Sequence, residues 1–170
     1  FSLKKARLLV MLDVQVTVRE MSLGGLSMET DFAFPLGAIH EFRLTLGDGA
    51  FVSIAEGAVP DHPVQIVYVS SAGETGTVRH PRTLVISGAR SEIQLVEIFV
   101  TCGEGPALTN AVTEIIVGQG AVVDHYKLQS ENARSFHIGT VQAYQGRSAR
   151  FASTSLALGA KLSRNEMNAV

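Results

Sequence analysis

The chain has 170 residues, a formal net charge of −2 and only 6% aromatic residues. With no basic field and few rings for base stacking, this composition argues against a nucleic-acid partner. The single cysteine, Cys102, excludes an intrachain disulfide and an all-cysteine metal site within one chain. No uncharged apolar run is long enough to span a membrane, so we expect a cytoplasmic protein without membrane contact.

The first 47 residues predict a short antiparallel β segment. Residues 8–18 and 39–46 are typical of strands, and a turn over 20–25 leads into a short strand over 26–29. The glycines around Asp48 then give a strong turn signal. We therefore place a domain boundary at this turn, between segments 1–47 and 48–170.

From residue 50 onward, short strands recur with turns between them. Few segments carry the apolar spacing of a helix, so the pattern predicts an all-β fold. The predicted strands cover 51–54, 64–69, 83–86, 92–100, 111–117, 121–129, 138–143 and 150–158. The central pair flanks Gly118 and Gly120, which supply the backbone freedom that a sharp corner needs.

Apolar residues at the fronts of these strands repeat at a nearly constant period. Ile66, Ile93, Val123 and Phe151 are 27, 30 and 28 residues apart. A second set, Ile98, Leu128 and Leu156, repeats at 30 and 28. Such a period predicts a β-solenoid, in which like residues stack from coil to coil into a continuous core. On periodicity alone a β-sandwich stays open as the alternative.

Six segments in sequence order resemble the SufB/SufD family, and SufD more than SufB. They are Asp61–Ser70, His80–Arg82, Glu97, Thr109–Glu114, His125–Gln129 with Glu131, and Leu158–Asn165. The likeness covers residues 48–170 and implies a right-handed parallel β-helix, here truncated. It also implies a non-enzymatic scaffold subunit of the SUF machinery for iron–sulfur cluster assembly.

The resemblance implies SufB-like and SufC-like protein partners. The sequence stops at Val170, before the family's cluster-site and SufC-docking regions. We therefore expect no cofactor in this chain, an iron–sulfur cluster only in the intact complex, and weak or absent SufC binding. The open end of the last coil would carry unpaired backbone groups, which predicts self-association.

The segment 1–47 resembles part of a PilZ domain, a small β-barrel that often binds cyclic di-GMP. The likeness rests on Arg19, Ser22 and Gly25, with Glu20 where that family has Asp or Asn. It implies an alternative function as a cyclic dinucleotide sensor, with those three residues as candidate ligand contacts. A turn that needs serine and glycine only for its shape is the structural alternative.

Candidate chemistry elsewhere is sparse. His125 and Lys127 alternate on one strand and so share a face, which we expect to be a solvated sheet face or a partner groove. With His137 and Glu131, His125 would make a His/His/Glu metal site. A Ser153–His125–Asp124 triad is rejected, because neighbours on a strand point in opposite directions.

Three further hypotheses rank lower. Cys102 lies in a predicted turn, where it is a small residue or a transient sulfur acceptor. The glycine-rich segment 73–77 lacks the lysine of a phosphate-binding loop. A β-helix carbohydrate enzyme would need clustered carboxylates, and Glu92, Glu97, Asp124 and Glu131 do not fall at stacked positions. The function that the SufB/SufD resemblance implies, a scaffold and not an enzyme, is therefore the leading prediction.

Overall fold

The fold is described from a computed structural model, which defines residues 17–22, 25–29 and 49–170. Every regular element in these ranges is a strand, which confirms the all-β prediction. The same ranges contain no helix that is long and apolar enough to cross a membrane. The strands are β1 Thr17–Ser22, β2 Gly25–Glu29, β3 Gly49–Ile54, β4 Val64–Ser71, β5 Thr77–Arg79, β6 Arg82–Ser87, β7 Glu92–Cys102, β8 Ala107–Val117, β9 Val122–Ser130, β10 Phe136–Gln145, β11 Arg150–Ala157 and β12 Leu162–Ala169.

The chain divides into two units, Phe1–His40 and Glu41–Val170. In the first, β1 and β2 form an antiparallel hairpin whose last pair is Ser22 and Gly25. β1 includes residues 20–22 and β2 begins at Gly25, so the turn predicted over 20–25 is wrong at these four positions. The strand predicted over 39–46 lies outside the described residues, as does most of that over 8–18. The domain boundary after residue 47 stays a prediction.

The second unit is a parallel β-helix. One sheet has the order β12-β10-β8-β6-β3, with β5 also paired to β8, and the other has the order β11-β9-β7-β4. Every pairing in both sheets is parallel. Each coil gives one strand to each sheet, which makes about four turns. This arrangement confirms the solenoid over the sandwich.

Strict alternation along the strands builds the core. In β7 and β9 the odd-numbered residues are buried, except the half-buried Thr101 near the end of β7, and the even-numbered ones face out. The buried apolar side chains form one cluster between the two sheets. It comprises Ala50, Val52, Ile54, Val64, Ile66, Val85, Ile93, Leu95, Ile115, Val117, Ala121, Val123, Val141 and Ala143. Stacking of equal positions keeps this cluster continuous along the solenoid.

The predicted columns are largely confirmed, with one error. Ile93, Val123 and Phe151 stack in register, but Ile66 lies opposite Glu97. The cause is a longer first coil: Val64 pairs with Leu95, an offset of 31 residues instead of 27. A slip of four residues keeps the same face of the strand buried, so apolar spacing alone does not detect it.

The second predicted column points the other way. Ile98, Leu128 and Leu156 are in register, as expected, yet they project from the outer face of the sheet. Leu156 keeps 54% of its surface exposed. These residues therefore do not extend the core and instead form an outer row of aliphatic side chains.

Glycines form one corner of the solenoid. Three glycines each donate their backbone N–H to a carbonyl oxygen of the preceding coil, at 2.8–2.9 Å. The pairs are Gly88 with Ile54, Gly118 with Ser87, and Gly146 with Val117. A Cβ added to Gly118 would lie 2.6 Å from the Ser87 carbonyl oxygen. The coils can therefore stack this closely only because the corner lacks side chains.

Candidate functional site

The interior of the solenoid is polar at one end of its cross-section. Beyond the apolar cluster, β7 and β9 turn inward the side chains of Glu97, His125, Lys127 and Gln129, and all are buried. Glu131 and His137 close this region at the corner between β9 and β10, and they are buried as well. We call these six residues the lumen cluster. Buried charges persist in proteins only when they are paired, so their partners determine the chemistry.

Glu97 is the centre of one half of the lumen cluster. One carboxylate oxygen accepts a hydrogen bond from the Thr83 hydroxyl at 2.6 Å. The other accepts from the Thr113 hydroxyl at 2.9 Å and from His125 Nε2 at 2.9 Å. His125 Nδ1 lies 2.9 Å from the Ser153 hydroxyl. These contacts join residues from three successive coils around one carboxylate.

Glu131 has the same role in the other half. It accepts hydrogen bonds from the Thr109 hydroxyl and from Gln129 Nε2, the latter at 3.0 Å. His137 Nδ1 lies 2.8 Å from the same carboxylate. Because an ionised carboxylate only accepts, Nδ1 carries the proton, and in the neutral ring Nε2 keeps a lone pair. That Nε2 is buried and has no hydrogen-bond partner among the described residues.

Lys127 lies between the two carboxylates. Its Nζ donates to Asn165 Oδ1 at 2.8 Å and lies 5.1 Å from the centre of the Phe99 ring. Gly139 makes room for it, since a Cβ there would fall 1.9 Å from Nζ. One ammonium group thus faces two carboxylates, which is the arrangement that a buried lysine needs in order to stay charged.

The pKa values of these groups follow from competing effects. Burial alone raises the pKa of Glu97, but the hydrogen bond and charge of His125 and the two threonine hydroxyls outweigh it, so the pKa falls below 4.5. The pKa of Glu131 is lowered in the same way, against burial, by His137, Thr109 and Gln129. Burial lowers the pKa of Lys127, although both carboxylates oppose the change.

We expect these shifts to make the β-helix sensitive to acid. A carboxyl whose folded pKa is depressed contributes stability that is present above its unfolded value and is lost as pH falls through the folded value. Unfolding free energy measured by urea titration should therefore be constant near neutral pH and decrease progressively below about pH 4.5. Glu97→Gln should flatten this decrease, and an unchanged slope in that variant would contradict the assignment.

The structure brings together two of the three proposed metal ligands. His137 contacts Glu131, whereas both nitrogens of His125 are hydrogen-bonded, to Glu97 and Ser153. Within the described ranges, no group of three or more His, Cys, Asp or Glu side chains is arranged to hold a metal ion. The expectation that His125 and Lys127 face solvent or a partner groove is wrong, because both lie inside the solenoid.

The other candidate residues lie apart from the lumen cluster. Cys102 is exposed at the last position of β7, not in a turn. Asp124 projects outward and pairs with Arg150, so it does not orient His125, as the sequence predicted. Arg19, Ser22 and Gly25 belong to the β1–β2 hairpin, and their role in ligand binding stays a prediction.

Glu97 is the residue whose role the sequence did not reveal. Its partner His125 is 28 residues away, and Lys127 follows it by 30, which is the period itself. Because Glu97 precedes Lys127 by one 30-residue period, the sequence did contain a signal that these two charges stack as an ion pair. The signal was lost because the column was predicted for the apolar residues only.

The outer face of the sheet β4-β7-β9-β11 carries the aliphatic row noted above, now with a fourth member. Val67, Ile98, Leu128 and Leu156 stack in register across the four strands, and we call them the outer ladder. Val69 and Tyr126, exposed by 57% and 42%, flank it. Parallel sheets are normally covered on both faces, so an exposed aliphatic ladder is typical of a contact surface.

The family model described as the SUF system FeS cluster assembly, SufBD core domain, matches residues 68–170. This range includes most of the coils and the whole lumen cluster. The chain belongs to the SufBD core family. The predicted resemblance to SufB/SufD is therefore confirmed.

Two curated relatives agree with this assignment. The SufBD chain is 30% identical over 157 residues to the iron-sulfur cluster assembly SufBD family protein slr0076 of Synechocystis, covering 88% of this chain and 34% of that protein. It is 31% identical over 125 residues to Protein ABCI7, chloroplastic, of Arabidopsis thaliana, covering 69% and 26%. The chain thus spans about a third or less of these relatives. No solved structure matches it.

Proposed function

We propose that the chain acts as a non-enzymatic scaffold in SUF iron–sulfur cluster assembly, through protein–protein contacts. Membership of the SufBD core family carries this proposal. The β-helix is compatible with it, because stacked coils give a rigid, extended surface. We further propose that a cluster is the product that the intact complex assembles and not a resident group of this chain.

The outer ladder supports the contacts that a scaffold needs. Val67 and Leu156 are exposed by 43% and 54% at its two ends, and no charged residue lies in the row. Apolar area of this kind is favourable to cover, at about 25 cal/mol per Å². We propose a SufB-like protein as the main partner. A contact with a SufC-like protein and a location in the cytoplasm remain predictions.

A binding experiment tests this proposal. The chain, immobilised, should retain a purified SufB-like protein, and Leu156→Glu should reduce the affinity at least tenfold by introducing a charge that must be desolvated. Ile116→Glu is the matched control, since Ile116 is an exposed aliphatic residue on β8 of the other sheet. The SufC-like protein is assayed in parallel. No retention of either partner would overturn the proposal.

Self-association must be measured first, because it would compete with a partner. β11 and β4 are the outer strands of their sheet among the described residues, so each has one edge without a paired strand. We expect light scattering at micromolar concentration to show species larger than the monomer. A single monomeric species would contradict this expectation.

The sensor function remains a second candidate for the first unit. β1 and β2 place Ser22 opposite Gly25 at the closed end of their hairpin, which is where the resemblance puts a ligand contact. Calorimetric titration with cyclic di-GMP checks it. Saturable heat that Ser22→Ala removes would support a sensor, and the absence of heat would remove this candidate.

A further inference from the structure

Two buried acceptor atoms of the lumen cluster have no hydrogen-bond partner among the described residues. They are Nε2 of His137 and the amide oxygen of Gln129, and both residues are fully buried. Buried polar atoms in folded proteins are almost always paired, either with other protein groups or with an ordered water molecule. A scaffold that acts through its outer face makes no use of these two atoms, so they call for a partner inside the solenoid.

One carboxylate oxygen fixes the orientation of both groups. Glu131 Oε2 accepts from Gln129 Nε2 at 3.0 Å and from His137 Nδ1 at 2.8 Å. The pKa of Glu131 is lowered, so its carboxylate is ionised at neutral pH and can only accept. Turning the amide over would place its oxygen against this carboxylate. The amide oxygen of Gln129 and Nε2 of the neutral His137 ring must therefore both find a donor elsewhere.

Both acceptors lie within the stack of coils and not at its end. Gln129 belongs to β9, which is paired with β7 on one side and β11 on the other. His137 belongs to β10, which lies between β8 and β12. Neither residue is on an edge strand, so further coils beyond β11 and β12 would leave both acceptors enclosed as they are.

Lys127 is a donor with protons to spare. Its ammonium group has three N–H bonds, and one of them goes to Asn165 Oδ1 at 2.8 Å. Lys127 and Gln129 alternate on β9, so both side chains point into the lumen. A Cβ added to Gly139 would lie 1.9 Å from Lys127 Nζ and 3.2 Å from His137 Nε2. The ammonium and the unpaired ring nitrogen are therefore close neighbours.

These two nitrogens do not bond to each other directly. His137 Nε2 has no partner within hydrogen-bond range in the described part of the chain. Lys127 Nζ is held instead by Asn165 and lies 5.1 Å from the centre of the Phe99 ring. A separation that is too long for one hydrogen bond, yet close to a single shared point, suits one small bridging molecule.

The required hydrogen bonds select the chemistry of this molecule. An anion would accept from Lys127 but would repel the lone pairs of both acceptors. A metal ion would lie beside an ammonium charge, and the described ranges contain no group of three or more His, Cys, Asp or Glu side chains arranged to hold one. Water accepts from an ammonium group and donates two hydrogen bonds, which is the number of unpaired acceptors.

We propose that the lumen holds one tightly bound water molecule, which accepts from Lys127 Nζ and donates to His137 Nε2 and Gln129 Oε1. The water completes a hydrogen-bonded path from the ammonium group to Glu131, because both of its acceptors already donate to that carboxylate. Each buried polar group of this half of the lumen cluster then has a partner.

Magnetic relaxation dispersion of the water oxygen tests the proposal on the whole 170-residue chain. The method counts water molecules that a protein holds for longer than nanoseconds. His137→Phe keeps an aromatic ring and removes both ring nitrogens, so we expect the count to fall by one molecule. His62→Phe is the matched control, since His62 is exposed, and it should leave the count unchanged.

A second measurement needs no substitution, so it decides the matter even if His137→Phe does not fold. In the wild-type chain, NMR cross-relaxation should connect water to the carbon-bound ring proton beside His137 Nε2, with the sign of a long-lived contact. The ring nitrogen shifts should show the proton on Nδ1. No cross-peak at His137, a proton on Nε2, or an equal water count in wild type and a folded His137→Phe would each overturn the proposal.

Discussion

Replacing Glu97 by alanine is expected to destabilise the β-helix by about 3–5 kcal/mol, which is the typical cost of removing one partner of a buried ion pair. The change leaves His125 and Lys127 without their common carboxylate, and the hydroxyls of Thr83 and Thr113 lose their acceptor. A chain of this size is stable by only about 5–15 kcal/mol, so much of its stability would be lost. Urea unfolding followed by circular dichroism measures the effect.

Two variants separate the causes of this loss. Glu114→Ala removes an exposed glutamate on β8 and should change stability by no more than about 0.5 kcal/mol. Glu97→Gln keeps the side-chain volume and removes the negative charge. It should therefore retain most of the packing, but the positive charge of Lys127 would lose one of its two neighbouring carboxylates. If Glu97→Ala cost no more than Glu114→Ala, the lumen cluster would not be a stabilising network.

A methyl group at Gly118 is expected to destabilise the chain by about 2 kcal/mol or more, as overpacking does. The added Cβ would lie 2.6–2.8 Å from backbone atoms of Ser87, Gly88 and Ala89. Backbone atoms cannot rotate away, so the corner must open and the hydrogen bond from Gly118 to Ser87 must lengthen. The midpoint of thermal unfolding of Gly118→Ala measures the change.

Gly73→Ala is the matched control for this prediction. Gly73 also lies in a turn, but an added Cβ there would meet no atom within 4 Å. Its backbone is not left-handed, so alanine should be neutral or slightly stabilising. Equal midpoints for Gly118→Ala and Gly73→Ala would show that the corner tolerates a side chain and that close stacking is not its function.

Most of the solenoid could be predicted from the sequence, because alternation and period are local signals. Eight predicted strands correspond to observed ones, for example 92–100 to β7 at Glu92–Cys102. The short strand Thr77–Arg79 and the last strand Leu162–Ala169 were missed. The last has no buried residue in its burial pattern, so no alternation of apolar side chains marks it.

The site was harder to predict, because its polar side chains were expected to be exposed to solvent. His125 and Lys127 were placed correctly on one face, but a charged face on a strand usually meets water. Their partners lie in adjacent coils, so only the correct register places Glu97 beside them. The register of β7 on β9 was predicted correctly, since Ile93 stacks on Val123, but only apolar residues were aligned with it, so Glu97 was not placed beside Lys127.

The sharing of charges between coils has a consequence for how such a protein can evolve. Glu97 belongs to the second coil, and the groups that balance it, His125 and Lys127, belong to the third. A duplicated third coil would bring a second His125, Lys127 and Glu131 but no second Glu97, so the added histidine would lack the carboxylate that it contacts. The coils of this solenoid are therefore not interchangeable. Copying one coil would leave a buried polar side chain without its partner, whereas copying a coil with an apolar interior would not.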